Sequence, residues 1–161
     1  MIRLIPLLAA VLVALPVGAF ADEYPLRKPG LWEITMTGKD GPAMVTKMCI
    51  DAAFEADMLK KSEATKASIC SRNEMHRSGK VYTADSVCRP MGSETTSHSV
   101  LTVTSDTSYT MTITSHHNPP VMGRADQEMT QEGKWLGPCG ADIKPGDMII
   151  NGQKMHMGGA P

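Results

Sequence analysis

The chain has few aromatic residues, no excess of charge of either sign and no catalytic motif. Only 4% of its 161 residues are aromatic, and its formal net charge is −1. This near-neutral balance gives no sign of the basic face that nucleic acid requires or of the polybasic patch that anionic lipid requires. None of the familiar hydrolase, metalloprotease, phosphate-loop or dinucleotide spacings occurs. We therefore expect a protein that is not an enzyme, has no cofactor and does not bind nucleic acid.

A long apolar run occurs once, near the start of the sequence. Residues 1–21 combine an early basic residue, this run and the small-residue ending Ala19-Phe20-Ala21, which together predict a secretory signal peptide. Pro6 and Pro16 interrupt the run, and its length of about 15 residues is short for a permanent membrane helix. We therefore expect a single domain at residues 22–161 that is periplasmic or secreted, with no integral membrane segment after processing.

Four cysteines follow the predicted signal peptide, and none of them forms a C-x-x-C pair. An even number of cysteines in an oxidising compartment favours two structural disulfides over metal ligation. Cys70 and Cys88 lie almost symmetrically about Ser78-Gly79, so a hairpin there would place them opposite each other. This favours Cys70–Cys88 together with Cys49–Cys139. The alternative joins Cys49 to Cys70 and Cys88 to Cys139.

Alternation of apolar and polar residues predicts a chain made mostly of β-strands. In Leu31 to Thr37, for example, Trp32, Ile34 and Met36 share one face. Seven strands are predicted in all: 31–37, 43–50, 69–77, 80–89, 98–104, 108–115 and 122–135. Short turns between them indicate an antiparallel meander curled into a barrel or half-barrel. The fold class predicted is all-β with one short helix.

Three other segments complete the predicted architecture. Asp51 is a favourable N-cap for a helix that runs to about Ser62. The segment from His116 to Pro120 is expected to end a strand, because its two prolines lack backbone donors. From about residue 137 the glycine-rich and proline-rich sequence predicts an irregular tail.

Several short motifs resemble a bacterial exported family. They are Pro29-Gly30-Leu31-Trp32-Glu33, Met48-Cys49-Ile50-Asp51, Trp135-Leu136-Gly137-Pro138-Cys139-Gly140 and Lys144-Pro145-Gly146-Asp147. Together with the predicted signal peptide they resemble the family of domain of unknown function 3617 (DUF3617). This resemblance implies a periplasmic β-rich domain with cysteines, and it implies no activity and no catalytic residues.

The preferred functional hypothesis is a binding module for an apolar small molecule or a partner protein of the envelope. The chain has 13 methionines, whose flexible thioethers suit an adaptable apolar surface. A curled sheet has a concave face, and Trp32, Met36 and Met111 are the candidate ligand contacts on it. The alternative for the same residues is that they form the core against the helix.

A second hypothesis is a soft-metal site for Cu(I). Met155-His156-Met157 supplies two thioethers and an imidazole, and His116-His117 with Met122 is a second cluster of these ligand types. A blue-copper site is not expected, because Cys139 has no histidine within six residues. An enzyme without a familiar motif is the third alternative.

The first prediction concerns processing. Protein recovered from the cell envelope is expected to begin at Asp22, because a signal peptidase reads the small residues that end the run. Intact mass spectrometry measures this directly. A mature form that still carries Met1 would show that residues 1–21 are not a cleaved signal.

Overall fold

The structure, a computed structural model, describes residues 24–39 and 41–157, so the predicted signal peptide lies outside it. The described residues form nine strands, one α-helix and a short 3-10 turn at Pro90–Gly92. The helix α1 is Ala52–Ile69. The strands are β1 Gly30–Gly38, β2 Met44–Ile50, β3 Cys70–Ser78, β4 Val81–Cys88, β5 Glu94–Ser105, β6 Ser108–Val121, β7 Arg124–Gly137, β8 Asp147–Ile150 and β9 Gln153–His156.

The strands form one curled antiparallel sheet. Their order is β3-β4-β5-β6-β7-β1-β2-β8-β9, so β3 and β9 are the two edges. Within the described ranges these edges do not pair with each other, and the sheet is curled without closing into a barrel. The predicted fold class, all-β with one helix and a half-barrel meander, is confirmed.

The helix is longer than the sequence predicted. Its N-cap is Asp51 as expected, because the Asp51 carboxylate accepts a hydrogen bond from the backbone N–H of Phe54 at 2.7 Å. It continues past Ser62 to Ile69, and the expected end was therefore wrong. The added turns contain alanines and an ion pair between Lys66 and Glu63 at 2.8 Å, both of which favour helix.

The predicted irregular tail contains two further strands. β8 adds to the free edge of β2, and β9 pairs with β8. The turn between them is Asn151-Gly152, where both residues have positive φ angles of 51° and 77°. An Asn-Gly pair in this conformation is the preferred two-residue hairpin turn. The expectation of a tail that is mostly coil is therefore wrong between 147 and 156.

The expected end of β6 also needs correction. His116, His117 and Asn118 continue the ladder with β5, opposite Thr96, Thr95 and Glu94. The irregularity falls between His116 and Val121 on the side that faces β7, where the register shifts. The prolines thus interrupt one ladder, while the three residues before them continue the other.

The compact core occupies one side of the concave face. Trp32 and Ile34 from β1 pack with Met48 and Ile50 from β2, and all four side chains are buried. Phe54 of α1 packs against this cluster from above. The core therefore lies beneath the start of the helix, towards β1, β2 and β8.

The helix crosses the concave face because of the strand order. α1 connects β2 to β3, which stand six positions apart in the sheet. At about 4.8 Å between strands this separation is about 29 Å, and the 18 residues of α1 span about 27 Å. No helix in the described part of the chain has the length and apolar character that crossing a bilayer requires.

All four cysteines lie in the described residues and form two disulfides. Cys70–Cys88 joins the first residue of β3 to the last residue of β4, which are paired in the register. Cys49–Cys139 joins the end of β2 to the segment after β7, with a Cα–Cα distance of 5.7 Å. This is the pairing that the sequence favours over the alternative.

The second prediction compares the two disulfides. Their sequence separations are 90 residues for Cys49–Cys139 and 18 for Cys70–Cys88. Loop-closure entropy then gives about 4.6 kcal/mol for the long loop and about 3.2 kcal/mol for the short one. Replacing both cysteines of a pair by serine, one pair at a time, should therefore destabilise the protein more for the long loop.

Denaturant unfolding without reductant measures both paired variants against the native protein. Each variant retains the other disulfide and serves as the control for it. An equal or larger loss from the variant without Cys70–Cys88 would contradict the loop-closure explanation.

Candidate functional site

A cavity separates the helix from the sheet on the side away from the core. Its volume is about 450 Å³, within the range of pockets that hold small molecules. The concave face of β4, β5 and β6 forms its floor, and α1 covers it in part. Residues 24–29, here called the strap, run along its rim before β1 begins.

The middle of the cavity is apolar. Leu101 of β5 is opposite Met111 of β6 in the register, and the period of two places Val103 and Ile113 on the same face. Trp32 closes the end nearest the core and is only 2% exposed. The apolar lining residues are Pro25, Leu26, Trp32, Leu59, Ala84, Leu101, Val103, Met111 and Ile113.

Serines surround this apolar middle at both ends. The residues of β5 that line the cavity are, in order, Ser97, Ser99, Leu101, Val103 and Ser105. Serine hydroxyls therefore flank the two aliphatic side chains. Ser86 lies opposite Ser97 on β4, and Ser108 opposite Ser105 on β6. Hydroxyls both donate and accept hydrogen bonds, so each end can bind uncharged polar groups.

The strap and the helix are joined by an ion pair. Arg27 Nε donates to Glu55 Oε1 at 2.8 Å, and Arg27 Nη2 donates to Glu55 Oε2 at 2.6 Å. The two side chains are 20% and 6% exposed. Burial lowers the pKa of Arg27, but the hydrogen bond and charge of Glu55, with a smaller contribution from Tyr109, outweigh it and raise the pKa. Arg27 therefore remains protonated, and the carboxylate of Glu55 balances its charge.

Tyr109 joins the core to β7 at the floor of the cavity. Its ring lies 5.8 Å from that of Trp32, and its hydroxyl accepts a hydrogen bond from Gln131 Nε2 at 2.7 Å. Gly133 lies opposite Tyr109 on β7, and a Cβ there would overlap the tyrosine ring. The missing side chain at Gly133 therefore lets the ring lie close against β7.

The strap is fastened along its length. Trp32 Nε1 donates to the carbonyl of Lys28 at 2.8 Å, and Trp135 Nε1 donates to that of Pro29 at 3.0 Å. Lys28 Nζ lies 4.1 Å from the centroid of the Trp135 ring. With the ion pair at Arg27, these contacts hold residues 24–29 at the rim of the cavity.

Two of the three ligand contacts expected from the sequence line the cavity. Trp32 and Met111 do so. Met36 is not among the lining residues and packs against the core cluster instead. Gln131 lies between Met111 and Met36 in the register, and it is Gln131 that lines the cavity.

The candidate soft-metal residues do not converge. Met155 and His156 are consecutive on β9 and so lie on opposite faces, and Met157 packs against the core. His156 Nδ1 lies 2.8 Å from Asp147 Oδ1. In the other cluster, His116 pairs with Asp126 at 2.8 Å while Met122 is 97% exposed in a turn. Residues 24–39 and 41–157 contain no group of three His, Cys, Asp or Glu suited to a metal.

Sequence reasoning missed the polar half of the site. Arg27 and Glu55 are 28 residues apart, in an irregular lead-in and a helix, so no local pattern associates them. Gln131 likewise gives no signal. A glycine within a strand often marks a close approach of another group, and Gly133 was such a signal for Tyr109.

Fold and site together define a small domain on one curled antiparallel sheet, with a partly covered apolar cavity on its concave face. The family described as "Protein of unknown function (DUF3617)" matches residues 27–139, and the chain belongs to this family. The matched range includes Arg27, Glu55 and the strands that form the cavity floor. No curated protein and no solved structure matches the chain.

The third prediction concerns pH and Asp147. The backbone N–H of Lys144 donates to this carboxylate at 2.9 Å, and that bond, followed by the one from His156, lowers its pKa below the ordinary 3.8. A lowered folded pKa contributes stability that is complete above 3.8 and is lost as the pH falls through the folded value. Asp147→Asn should therefore be less stable at neutral pH and lose less stability on acidification.

Thermal unfolding between neutral pH and about pH 3 tests this. Asp85→Asn is the matched control, because His98 lowers the pKa of Asp85 as well, but in an exposed pair whose contribution is small. Parallel pH profiles for the native protein and Asp147→Asn would contradict the assignment.

Proposed function

We propose that the protein is a non-catalytic binding protein that holds an apolar small molecule in the cavity between α1 and the sheet. The observation that supports this proposal is the unfilled apolar cavity of about 450 Å³ on the concave face. Concave, mostly apolar pockets of this size are the usual sites of small-molecule binding. Exposed or accessible apolar surface of this kind usually marks an interaction site.

The hydrogen bonds of the serines that line the cavity favour a binding function over catalysis. Serine hydroxyls at the cavity bond to other hydroxyls or to backbone: Ser97 to Ser115 at 3.0 Å, and Ser105 to Ser108 at 2.9 Å. A nucleophilic serine instead needs a base within hydrogen-bond reach. These hydroxyls therefore serve as neutral polar contacts in the proposed function.

We further propose that the protein acts outside the cytoplasm, in the periplasm or as a secreted protein. The two disulfides in the described residues support this, because such bonds persist in oxidising compartments. The predicted signal peptide supports it independently.

The fourth prediction tests the cavity with N-phenyl-1-naphthylamine, an uncharged dye that fluoresces in apolar surroundings. The native protein should bind it saturably. Ala84→Phe fills the floor of the cavity and should weaken binding by at least about tenfold, about 1.4 kcal/mol. Thr83→Phe is the matched control, because Thr83 is the adjacent residue on β4 and lies on the opposite face.

A second pair of variants tests the assignment of the methionines. Met111→Ala should weaken dye binding, because Met111 lines the cavity, whereas Met36→Ala should leave binding unchanged. Absence of saturable binding, or equal weakening by Ala84→Phe and Thr83→Phe, would refute the proposed function.

A further inference from the structure

Few charged side chains line the cavity, and few of these are free to pair with a ligand. Among the described lining residues only Arg27, Glu55 and Asp106 are charged. Arg27 and Glu55 bond to each other through two hydrogen bonds, so neither is available without breaking a buried pair. Asp106 lies at the rim, where its side chain is 76% exposed and faces Lys28 at 3.7 Å.

An ionised ligand group placed in the apolar middle of this cavity, away from Asp106 at the rim, would therefore lack a partner. Transfer of an unpaired carboxylate or ammonium from water into an apolar site is strongly unfavourable. To gain one, the group would have to displace Glu55 from Arg27, or Arg27 from Glu55, and leave the displaced side chain unpaired. Glu55 is 6% exposed, so water cannot readily replace its partner.

An uncharged polar group would find partners at either end. Ser86, Ser97 and Ser99 cluster on β4 and β5 beyond the aliphatic floor, and Ser105 and Ser108 lie at the other end. Their hydroxyls donate and accept, as the hydroxyls, esters and amides of a neutral amphiphile require. The floor between the two ends is formed by Leu101 and Val103, which suit a hydrocarbon chain.

Building on the proposed function, we propose that the ligand is an uncharged amphiphile, a single hydrocarbon chain with a neutral hydrogen-bonding head group. Because Arg27 and Glu55 already bond to each other, neither can pair with the head group of an ionised amphiphile of the same chain length, and the site rejects such ligands. The selectivity arises from the absence of an available charge in the cavity wall and not from cavity size.

The fifth prediction compares three probes that share one chain and differ in head-group charge. Monolaurin is neutral, laurate is an anion at about pH 8, and laurylamine is a cation at that pH. Each displaces bound N-phenyl-1-naphthylamine from the full protein, below its critical micelle concentration. Monolaurin should compete at least about tenfold more effectively than either ionised probe.

Glu55→Gln reverses the preference. It leaves the charge of Arg27 without its partner, so a carboxylate can take the place of Glu55. Affinity for laurate relative to that for monolaurin should rise at least about tenfold. Glu63→Gln is the matched control, because it makes the same change on an exposed face of α1 and should leave all three affinities unchanged.

A paired variant covers the case in which Glu55→Gln does not fold. Replacing Arg27 and Glu55 together by leucine removes both charges, a change that buried ion pairs often tolerate. This variant should retain the preference for monolaurin. Loss of the preference there would overturn the proposal.

The outcomes separate the two proposals. If the dye does not bind the native protein, the proposed binding function fails. If the dye binds but laurate or laurylamine competes as well as monolaurin, the binding function stands and the inference of a neutral ligand is wrong. Failure of Glu55→Gln to gain laurate affinity relative to that for monolaurin, with the folded state confirmed, would also contradict it.

Discussion

The ion pair between Arg27 and Glu55 determines how the helix sits over the sheet. α1 is described along its whole length, and Glu55 is its one buried residue. The helix therefore does not pack on the sheet along a continuous apolar stripe, as an amphipathic surface helix does. Phe54 attaches its first turn to the core, and the bond to Arg27 attaches the next residue to the strap. Beyond these contacts the helix spans the concave face and leaves space beneath it.

The position of the core explains the position of the cavity. The buried apolar cluster comes from β1 and β2, towards one edge of the sheet, and Trp32 is its largest member. Strands β4 and β5 carry an alanine and serines at several floor positions, where a filled core would need larger residues. The sheet thus has a packed half and an open half, and Trp32 lies at the boundary.

Sequence reasoning recovered the parts of the fold that depend on local pattern. Alternation identified the long strands, and Asp51 identified the helix start. It missed β8 and β9 because four-residue strands show little alternation, although Asn151-Gly152 was a usable turn signal. Within the site, the alternation of apolar and polar residues placed Trp32 and Met111 on the concave face. The pairing of Arg27 with Glu55 instead depends on the long crossover of α1. No pattern within one segment reports such a contact.

We propose the open half of the concave face as a ligand site. A crystal structure with brominated monolaurin, read by anomalous diffraction from the bromine, tests it most directly. We expect a bromine peak between α1 and the floor of the cavity, beside Leu101 and Met111. A bromine peak on the convex face, or along the exposed edge of β3 with the cavity empty, would contradict it.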